Sequence, residues 1–193
     1  MIQTAFLDRE ISYTGEQLHS LWIRRTCGLS GDSLVAFLGP CSVSVEHLVD
    51  MEDRAANAPI FSRLMLHFIA EHFDRDLQVP QASLEKAVLR QRLLVALAAE
   101  LLNRGRQGPA VVRRGDDIYV DSRKLSVSIA TLSPMSALIH FGLNVISDGA
   151  PVPAIGLREL NVAPEPFARQ VLAAYADELS GMDHARTKVR GVG

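Results

Sequence analysis

Two segments whose side chains alternate in character constrain the fold of this chain most strongly. They span residues 125–131 and 137–146, and Ser133-Pro134 lies between them. Because alternate residues of a β-strand point to opposite faces, the pattern predicts two strands, joined as a hairpin or a closely similar antiparallel pair. We therefore expect an antiparallel sheet whose apolar face packs on a core.

Apolar residues at helical spacing predict two long helices that can cover such a sheet. The first spans residues 83–104, with Ser83 as its N-cap and Gly105 at its end. The second spans residues 166–180 and is followed by Gly181. Two shorter helices are predicted at residues 16–25 and 45–53.

Further strands are predicted on both sides of the first long helix. An apolar run at residues 33–38, stopped by Gly39-Pro40, suits a buried strand. Aromatic and β-branched residues at 64–73 favour a strand over a helix. Short strands follow at 110–113 and 118–120. The mixture indicates an α/β (α+β) fold, mainly an antiparallel sheet with packed helices.

Length and composition narrow the class of protein. With 193 residues, a single α/β domain is expected over residues 1–182, followed by a polar tail, residues 183–193, that frays. A net charge of −2 lacks the electrostatic footprint of a nucleic-acid binder. The first ten residues do not resemble a signal peptide, and no apolar run is long enough to span a membrane. We expect a cytoplasmic location, no nucleic acid and no membrane.

The hairpin predicts a ligand pocket. A turn near residues 133–136 is expected to pair even-numbered with even-numbered positions, so that the apolar faces coincide and pack on the helices. Three small and three polar residues would then form the other face: Ser126, Ser128, Gly142, Lys124, His140 and Asn144. Small residues allow a ligand to approach, and the polar ones can orient it. A half-exposed sheet has the same alternation, so both interpretations stay open.

Residues 113–125, which read Arg-Arg-Gly-Asp-Asp-Ile and end in Ser-Arg-Lys-Leu, resemble a signature of the biotin protein ligases. That signature is a basic residue, Trp-Pro-Asn-Asp-Ile, a short strand, then Gly-Arg-Lys and an apolar residue, and lipoate ligases carry a close relative. Residues 141–145 resemble the Gly-Ile/Leu-Asn-Val strand of the same enzymes, and residues 154–160 resemble their closing segment. The resemblance covers roughly residues 84–180.

The whole chain also resembles a family known as domain of unknown function 366. This likeness is carried by residues 31–41, 66–69 and 124–131. The family implies no activity.

The ligase resemblance implies the fold of class II aminoacyl-tRNA synthetase catalytic domains and an activity that passes an activated acyl group to a lysine. Lys124 matches the signature lysine that contacts acyl carbonyl and phosphate oxygens, and Asp117 matches the acid of the Asn-Asp pair. The cofactor stays open, with ATP and Mg²⁺ as candidates.

Two features depart from the ligases. No Gly-rich basic loop occurs between Pro59 and Gly105, and Val127 stands where the ligases carry a glycine.

Other candidate residues each have a structural alternative. Asp116 is either a functional carboxylate or a turn residue. Cys41 is either a nucleophile at a strand end or a small buried side chain. Arg113 and Arg114 either hold a phosphate or carboxylate or are solvated. His67 shares a face with Glu71, so it either forms a histidine–acid couple or packs in the core. The histidines and cysteines show no spacing typical of a metal site.

Three functional hypotheses follow. The first is an acyl- or carboxylate-handling enzyme, either an acyltransferase or a ligase forming an amide or ester, whose partner is a small-molecule carboxylate or acyl donor. The second is a non-catalytic binding module of the same fold for a carboxylate or nucleotide. The third is an interaction protein whose exposed strand forms a homodimer.

Overall fold

The computed structural model describes residues 1–74 and 80–192 of the chain. Its elements, in chain order, are β1 (Gln3–Leu7), α1 (Trp22–Cys27), β2 (Ser33–Val43), a 3₁₀ turn (Val45–His47), α2 (Met51–Ala55), β3 (Ile60–His72), α3 (Pro80–Asn103), β4 (Val111–Arg114), β5 (Asp117–Val120), β6 (Arg123–Lys124), β7 (Ser126–Leu132), β8 (Ala137–Ile146) and α4 (Pro164–Ala185).

The strands form two sheets. The larger has five strands in the order β1-β2-β3-β8-β7, and the smaller has the order β4-β5-β6. β1 runs parallel to β2, and every other pair is antiparallel. The predicted fold class, a mainly antiparallel sheet with packed helices, is therefore confirmed.

The five-stranded sheet is buried on both faces. One face packs on α3 and α4 in a core that includes Phe68, Leu94, Phe141 and Tyr175. The other face is covered by the segments that flank β2, in a second core built around residues such as Phe37. Burial on both faces explains why β2 and β3 read as nearly continuous apolar runs. Within the described residues, no helix combines the length and apolarity needed to cross a membrane.

The pairing of β7 with β8 differs from the prediction. Ser126 lies opposite Leu143, and Leu132 lies opposite Ala137, so even-numbered positions pair with odd-numbered ones. The expected even-to-even register is wrong because the turn, residues 133–136, contains an even number of residues. Ser126 therefore faces the helices, and the opposite face carries Val127.

Strand β2 continues through Gly39-Pro40, where the sequence predicted its end. Its register with β3 shifts between Gly39 and Cys41. The segment before α1 runs alongside this part of β2, with hydrogen bonds from Ile11 N to the Leu38 carbonyl (3.0 Å) and from Tyr13 N to the Pro40 carbonyl (2.9 Å). A Cβ at position 39 would collide with the Ile11 backbone, so only glycine permits this close approach.

The helix boundaries differ from prediction in several places. α3 begins three residues before Ser83, which is buried within the helix rather than capping it. α4 runs through Gly181 to Ala185, into the segment predicted to fray. Only the last part of the predicted helix 16–25 is helical, and residues 45–53 divide into the 3₁₀ turn and the start of α2. Of the predicted connection 74–82, residues 75–79 lie outside the described residues.

Glu71 ties three elements together at one end of the sheet. Its side chain is buried, and Oε1 accepts hydrogen bonds from Leu21 N (2.8 Å) and from Ser136 Oγ (2.7 Å). Leu21 precedes α1 with a φ of 63°, an uncommon conformation for a non-glycine residue. The carboxylate therefore holds the start of α1 and the β7–β8 turn against β3. It does not contact His67, so the proposed histidine–acid couple does not form.

Replacing Glu71 with alanine should destabilise the protein by about 2–4 kcal/mol, because two donors lose their acceptor in a buried site. Glu71→Gln should cost less, since an amide oxygen can still accept. Urea unfolding of both variants measures this difference, with Glu178→Ala on the exposed side of α4 as the control. Equal losses for Ala and Gln would show that the hydrogen bonds to Oε1 contribute little.

Candidate functional site

A cavity of about 190 Å³ lies on the face of the five-stranded sheet opposite α3 and α4. β7 and β8 form one wall, and segments on either side of β2 form the other. The lining residues are Tyr13, Gly15, Leu18, Val43, His47, Leu48, Val49, Asp50, Asp53, Ile60, Asp116, Asp117, Lys124, Val127, Ser128, Ile129 and His140. A cavity of about 150 Å³ accepts benzene, so this one has room for a single ring or a short chain.

An ion pair stands on one side of the cavity. Lys124 Nζ lies 2.8 Å from Asp117 Oδ2, and the two side chains are 31% and 19% exposed. The small sheet positions both residues, since Lys124 on β6 pairs with Tyr119 on β5. Backbone hydrogen bonds join Lys124 N to the Pro153 carbonyl (2.9 Å) and Ile155 N to the Lys124 carbonyl (3.1 Å). The lysine backbone is thus held on both sides.

Burial and pairing act in opposite directions on the pKa values of this ion pair. Burial raises the pKa of the Asp117 carboxyl, and the hydrogen bond from Lys124 offsets only part of that increase. Burial would lower the pKa of the Lys124 ammonium, but its hydrogen bond and attraction to Asp117 more than compensate and raise it. Lys124 is therefore a charged ammonium at neutral pH.

Aspartates dominate the charge around the cavity. Asp50, Asp53, Asp116 and Asp117 line it, and Lys124 is the one Lys or Arg side chain that the described lining includes. Asp50 is already used locally, because it caps α2 by accepting from Glu52 N and Asp53 N. Among the described residues, no group of three or more His, Cys, Asp or Glu side chains is arranged to hold a metal ion.

Two histidines build the inner wall. His140 lines the cavity, and the Tyr13 ring stacks on it with 3.8 Å between centroids and 9° between planes. Behind it, His67 Nδ1 lies 3.0 Å from His140 Nε2, and His67 Nε2 lies 3.2 Å from the Gly39 carbonyl oxygen. Burial lowers the pKa of His67 to about 3. Burial, and then the proximity of His67, lowers the pKa of His140 well below its usual range. Both imidazoles are neutral at physiological pH.

Of the residues predicted from the sequence, the cavity brings together five. They are Asp116, Asp117, Lys124, Ser128 and His140. The Ser128 hydroxyl donates to the Asp116 carbonyl (2.8 Å) and accepts from Gln91 Nε2 (2.7 Å), so it serves the wall rather than a ligand. Ser126 Oγ accepts from Ile118 N (2.8 Å) and joins β7 to β5 on the helix side.

Other predicted residues lie behind or away from the cavity. Gly142 leaves space that the Met65 side chain occupies. The Asn144 side chain donates through Nδ2 to the Lys124 carbonyl at 3.5 Å. Its backbone N bonds the Leu125 carbonyl at 2.9 Å, and its backbone O accepts from Leu157 N at 2.8 Å. These two positions therefore support the wall and the strand that carries Lys124.

The two arginines and the cysteine are placed differently again. Arg113 and Arg114 are exposed on β4, where Arg113 bonds the Gly115 carbonyl and Arg114 lies over the Tyr119 ring. Cys41 is fully buried in the core beneath the cavity, and burial raises its thiol pKa to about 12. A thiol nucleophile acts as the thiolate, so this setting does not support a nucleophilic role for Cys41.

Sequence reasoning missed much of the lining. The turn between β7 and β8 has four residues, which places Val127 and Ile129 on the same face as His140. A correct turn length would therefore have predicted these two lining residues. Tyr13 and Asp53 reach the cavity from segments far away in the chain, and no local pattern marks them. Gln91 on α3 supports the wall through its bonds to Asp116 and Ser128, and the available sign was a polar residue with apolar ones three and four positions away on either side.

The fold, a mainly antiparallel sheet with packed helices, is similar to that of solved biotin and lipoate protein ligases. The apo structure of the biotin protein ligase from Aquifex aeolicus superimposes with a TM-score of 0.58 and 16% identity, covering 95% of this chain and 72% of the ligase. At that level of identity, the likeness shows the fold alone.

The chain belongs to the family described as domain of unknown function (DUF366), whose model matches residues 2–190. A protein of unknown function from Pyrococcus horikoshi has the same structure at a TM-score of 0.89, with 41% identity over the whole of both chains. An uncharacterized protein of Methanocaldococcus jannaschii is 35% identical over 184 residues, covering 92% of this chain and 80% of that protein.

The buried histidines predict a stability that falls as pH falls. In the folded chain, the pKa values of His67 and His140 are lowered, whereas unfolded histidines bind a proton near pH 6.5. For His67 the unfolded state therefore binds more protons between about pH 6.5 and about pH 3. As the pH falls below about 6.5, each of the two histidines lowers the stability by up to about 1.4 kcal/mol per pH unit. His72, buried on the other face, acts in the same direction.

Urea unfolding at pH 7 and pH 5, at constant ionic strength, measures this loss. His140→Gln should flatten the dependence, because one buried imidazole is removed, while the exposed His184→Gln should leave it unchanged. Equal stability at the two pH values would contradict neutral burial of the pair.

Proposed function

We propose that this chain is an acyl-handling enzyme that binds a small carboxylate or acyl compound in the cavity, with a carbonyl or carboxylate oxygen on Lys124. The observation that carries the proposal is the position of Nζ at the cavity wall, charged and oriented by Asp117 at 2.8 Å. An ammonium held by a carboxylate is already oriented before the ligand arrives, which reduces the cost of binding.

The ammonium also suits the chemistry of acyl transfer. When an amine or hydroxyl of an acceptor attacks the carbonyl carbon, the carbonyl double bond opens and negative charge collects on its oxygen. Lys124 stabilises that charge by a charge-assisted hydrogen bond. The double bond then reforms, the leaving group departs with the bonding electrons, and the acceptor loses its proton. An amide or ester results.

The acceptor and the activating group both come from outside the chain in this scheme. Cys41 is buried with a raised thiol pKa, so the attacking group belongs to a second substrate. The Aquifex aeolicus ligase whose fold this chain shares has been solved in complex with biotin and ATP, which supports a small-molecule acid as the ligand class. ATP with Mg²⁺, or a preformed acyl donor, would supply the activation.

A second candidate is a non-catalytic binding module of the same fold. Two observations favour it: the sequence lacks the Gly-rich basic loop, and four aspartates surround the single lysine of the described lining. Such a lining weakens the binding of a polyphosphate by repulsion. Under this candidate the cavity binds a small molecule without activating it. Release of pyrophosphate from ATP in the presence of an acid distinguishes the enzyme from the module.

Lys124→Ala should weaken the binding of a short acid such as heptanoate by roughly 10- to 100-fold, the range expected for losing a hydrogen bond to a charged group. Isothermal titration calorimetry, with and without ATP and Mg²⁺, provides the measurement. Lys124→Arg should retain part of the affinity, since it keeps the charge but changes its shape.

Lys188→Ala is the matched control, because this lysine is exposed near the end of the chain and far from the cavity lining. Unchanged heptanoate binding in Lys124→Ala would refute the role of the ammonium. Binding that is lost in Lys124→Ala without any pyrophosphate release in the native protein would support the binding module or a transferase that uses a preformed donor.

A further inference from the structure

The inner wall of the cavity fixes the proton positions on its two histidines. A carbonyl oxygen can only accept, so the contact between Gly39 and His67 requires a proton on His67 Nε2. A neutral imidazole carries one ring proton, and His67 Nδ1 is therefore an acceptor. The 3.0 Å contact then requires a proton on His140 Nε2, which leaves His140 Nδ1 without one.

The contacts of His67 with Gly39 and with His140 thus make His140 Nδ1 a hydrogen-bond acceptor. His140 is 4% exposed and lines the cavity, and Nδ1 has no hydrogen-bond partner among the described residues. Among the described residues, His72 Nδ1 is the only side-chain nitrogen or oxygen that is both fully buried and without a hydrogen-bond partner. His140 Nδ1, which also lacks a partner, is therefore not fully buried. The lone pair of His140 Nδ1 is therefore available to a molecule in the cavity.

We infer that the inner end of the bound molecule carries an N–H or O–H group that donates a hydrogen bond to Nδ1 of His140. This inference rests on the proposed function, in which the other end of the bound molecule carries the acyl oxygen that contacts Lys124. The substrate class is then a short acid or acyl compound with a neutral donor, such as a hydroxyl, amide or urea, at the end remote from its carboxylate.

Other inner ends are disfavoured by the same wall. The Tyr13 ring stacks on the imidazole of His140, and Ile129 lies opposite His140 on β7, so apolar surface flanks the ring. A methyl end would leave Nδ1 without a donor, and a carboxylate end would place an anion against a lone pair in a lining whose one described Lys or Arg is Lys124, already assigned to the acyl oxygen. An ammonium end could donate, but the neutral imidazole offers it no opposite charge in return for its lost hydration, so an uncharged donor suits this acceptor better. A neutral donor satisfies the site without these penalties.

The test compares three acids of nearly equal size by isothermal titration calorimetry with the full-length protein at pH 7. The three are 6-hydroxyhexanoate, heptanoate and adipate. The first two differ only in a terminal hydroxyl in place of a methyl group. We expect 6-hydroxyhexanoate to bind about tenfold more tightly than heptanoate, and adipate to bind weakest. In His140→Phe, which keeps a ring against Tyr13 but removes the acceptor, the preference for the hydroxyl should disappear.

A second measurement avoids the variant, which also removes the donor to His67 and can fold poorly. Two-bond ¹H–¹⁵N correlation spectra of the native protein assign the histidine tautomers directly. We expect both His67 and His140 to carry the proton on Nε2, and we expect 6-hydroxyhexanoate to shift the Nδ1 resonance of His140 while heptanoate leaves it in place.

The outcomes separate this inference from the proposed function. Equal affinities for 6-hydroxyhexanoate and heptanoate, both weakened by Lys124→Ala, would overturn the donor requirement and leave the acyl site standing. A proton on His140 Nδ1 would overturn the inference whatever the affinities are. If none of the three acids binds, the proposed function fails, and the inference about the inner end fails with it.

Discussion

The pairing register between β7 and β8 decides which side chains meet the cavity. The five-stranded sheet is covered on both faces, so each residue of β7 faces either the helices or the cavity. Since side chains alternate strictly, a shift of one residue would exchange the two sets completely. The turn at residues 133–136 sets that register, and the Ser133 hydroxyl closes it by accepting from Ser136 N at 2.9 Å. Both the apolar wall of the cavity and the packing under α3 depend on this turn.

Placing a histidine pair against Phe37 and Tyr13 of the second core imposes its own requirement. A buried imidazole must find partners for both nitrogens, or it costs free energy comparable to a lost hydrogen bond. His67 satisfies both through Gly39 and His140, which uses one nitrogen of His140. The close approach of Ile11 at Gly39 packs the segment that leads to Tyr13 against β2, so the same backbone contact supports both the acceptor for His67 and the ring that stacks on His140.

The sequence predicted the elements better than it predicted the site. Apolar spacing placed α3 and α4 to within a few residues at most ends, and β-favouring residues identified β3, because both signals are local. Lys124, Asp117 and His140, which the sequence offered as candidates, line the cavity, and the first two were found through a signature that resembles the ligases. The error arose in the turn between β7 and β8. Whether the turn has an odd or an even number of residues, rather than its composition, determines which side chains of β7 share a face with those of β8. Tyr13 could not be predicted, because its position depends on a contact across the fold with Gly39.

Under the proposed function, Val127 predicts a ligand that differs from those of the ligases that the chain resembles. Three residues after the signature lysine, where those enzymes carry a glycine, this chain carries a branched side chain that faces the cavity opposite Gly142. The branched side chain fills space that a glycine would leave open, and the cavity of about 190 Å³ is small as a result. Under the proposed function, a small cavity that is lined by both a lysine and a hydrogen-bond acceptor can discriminate between ligands by the polarity of two groups. Specificity of this kind arises because a ligand lacking either group leaves a buried polar atom unpaired.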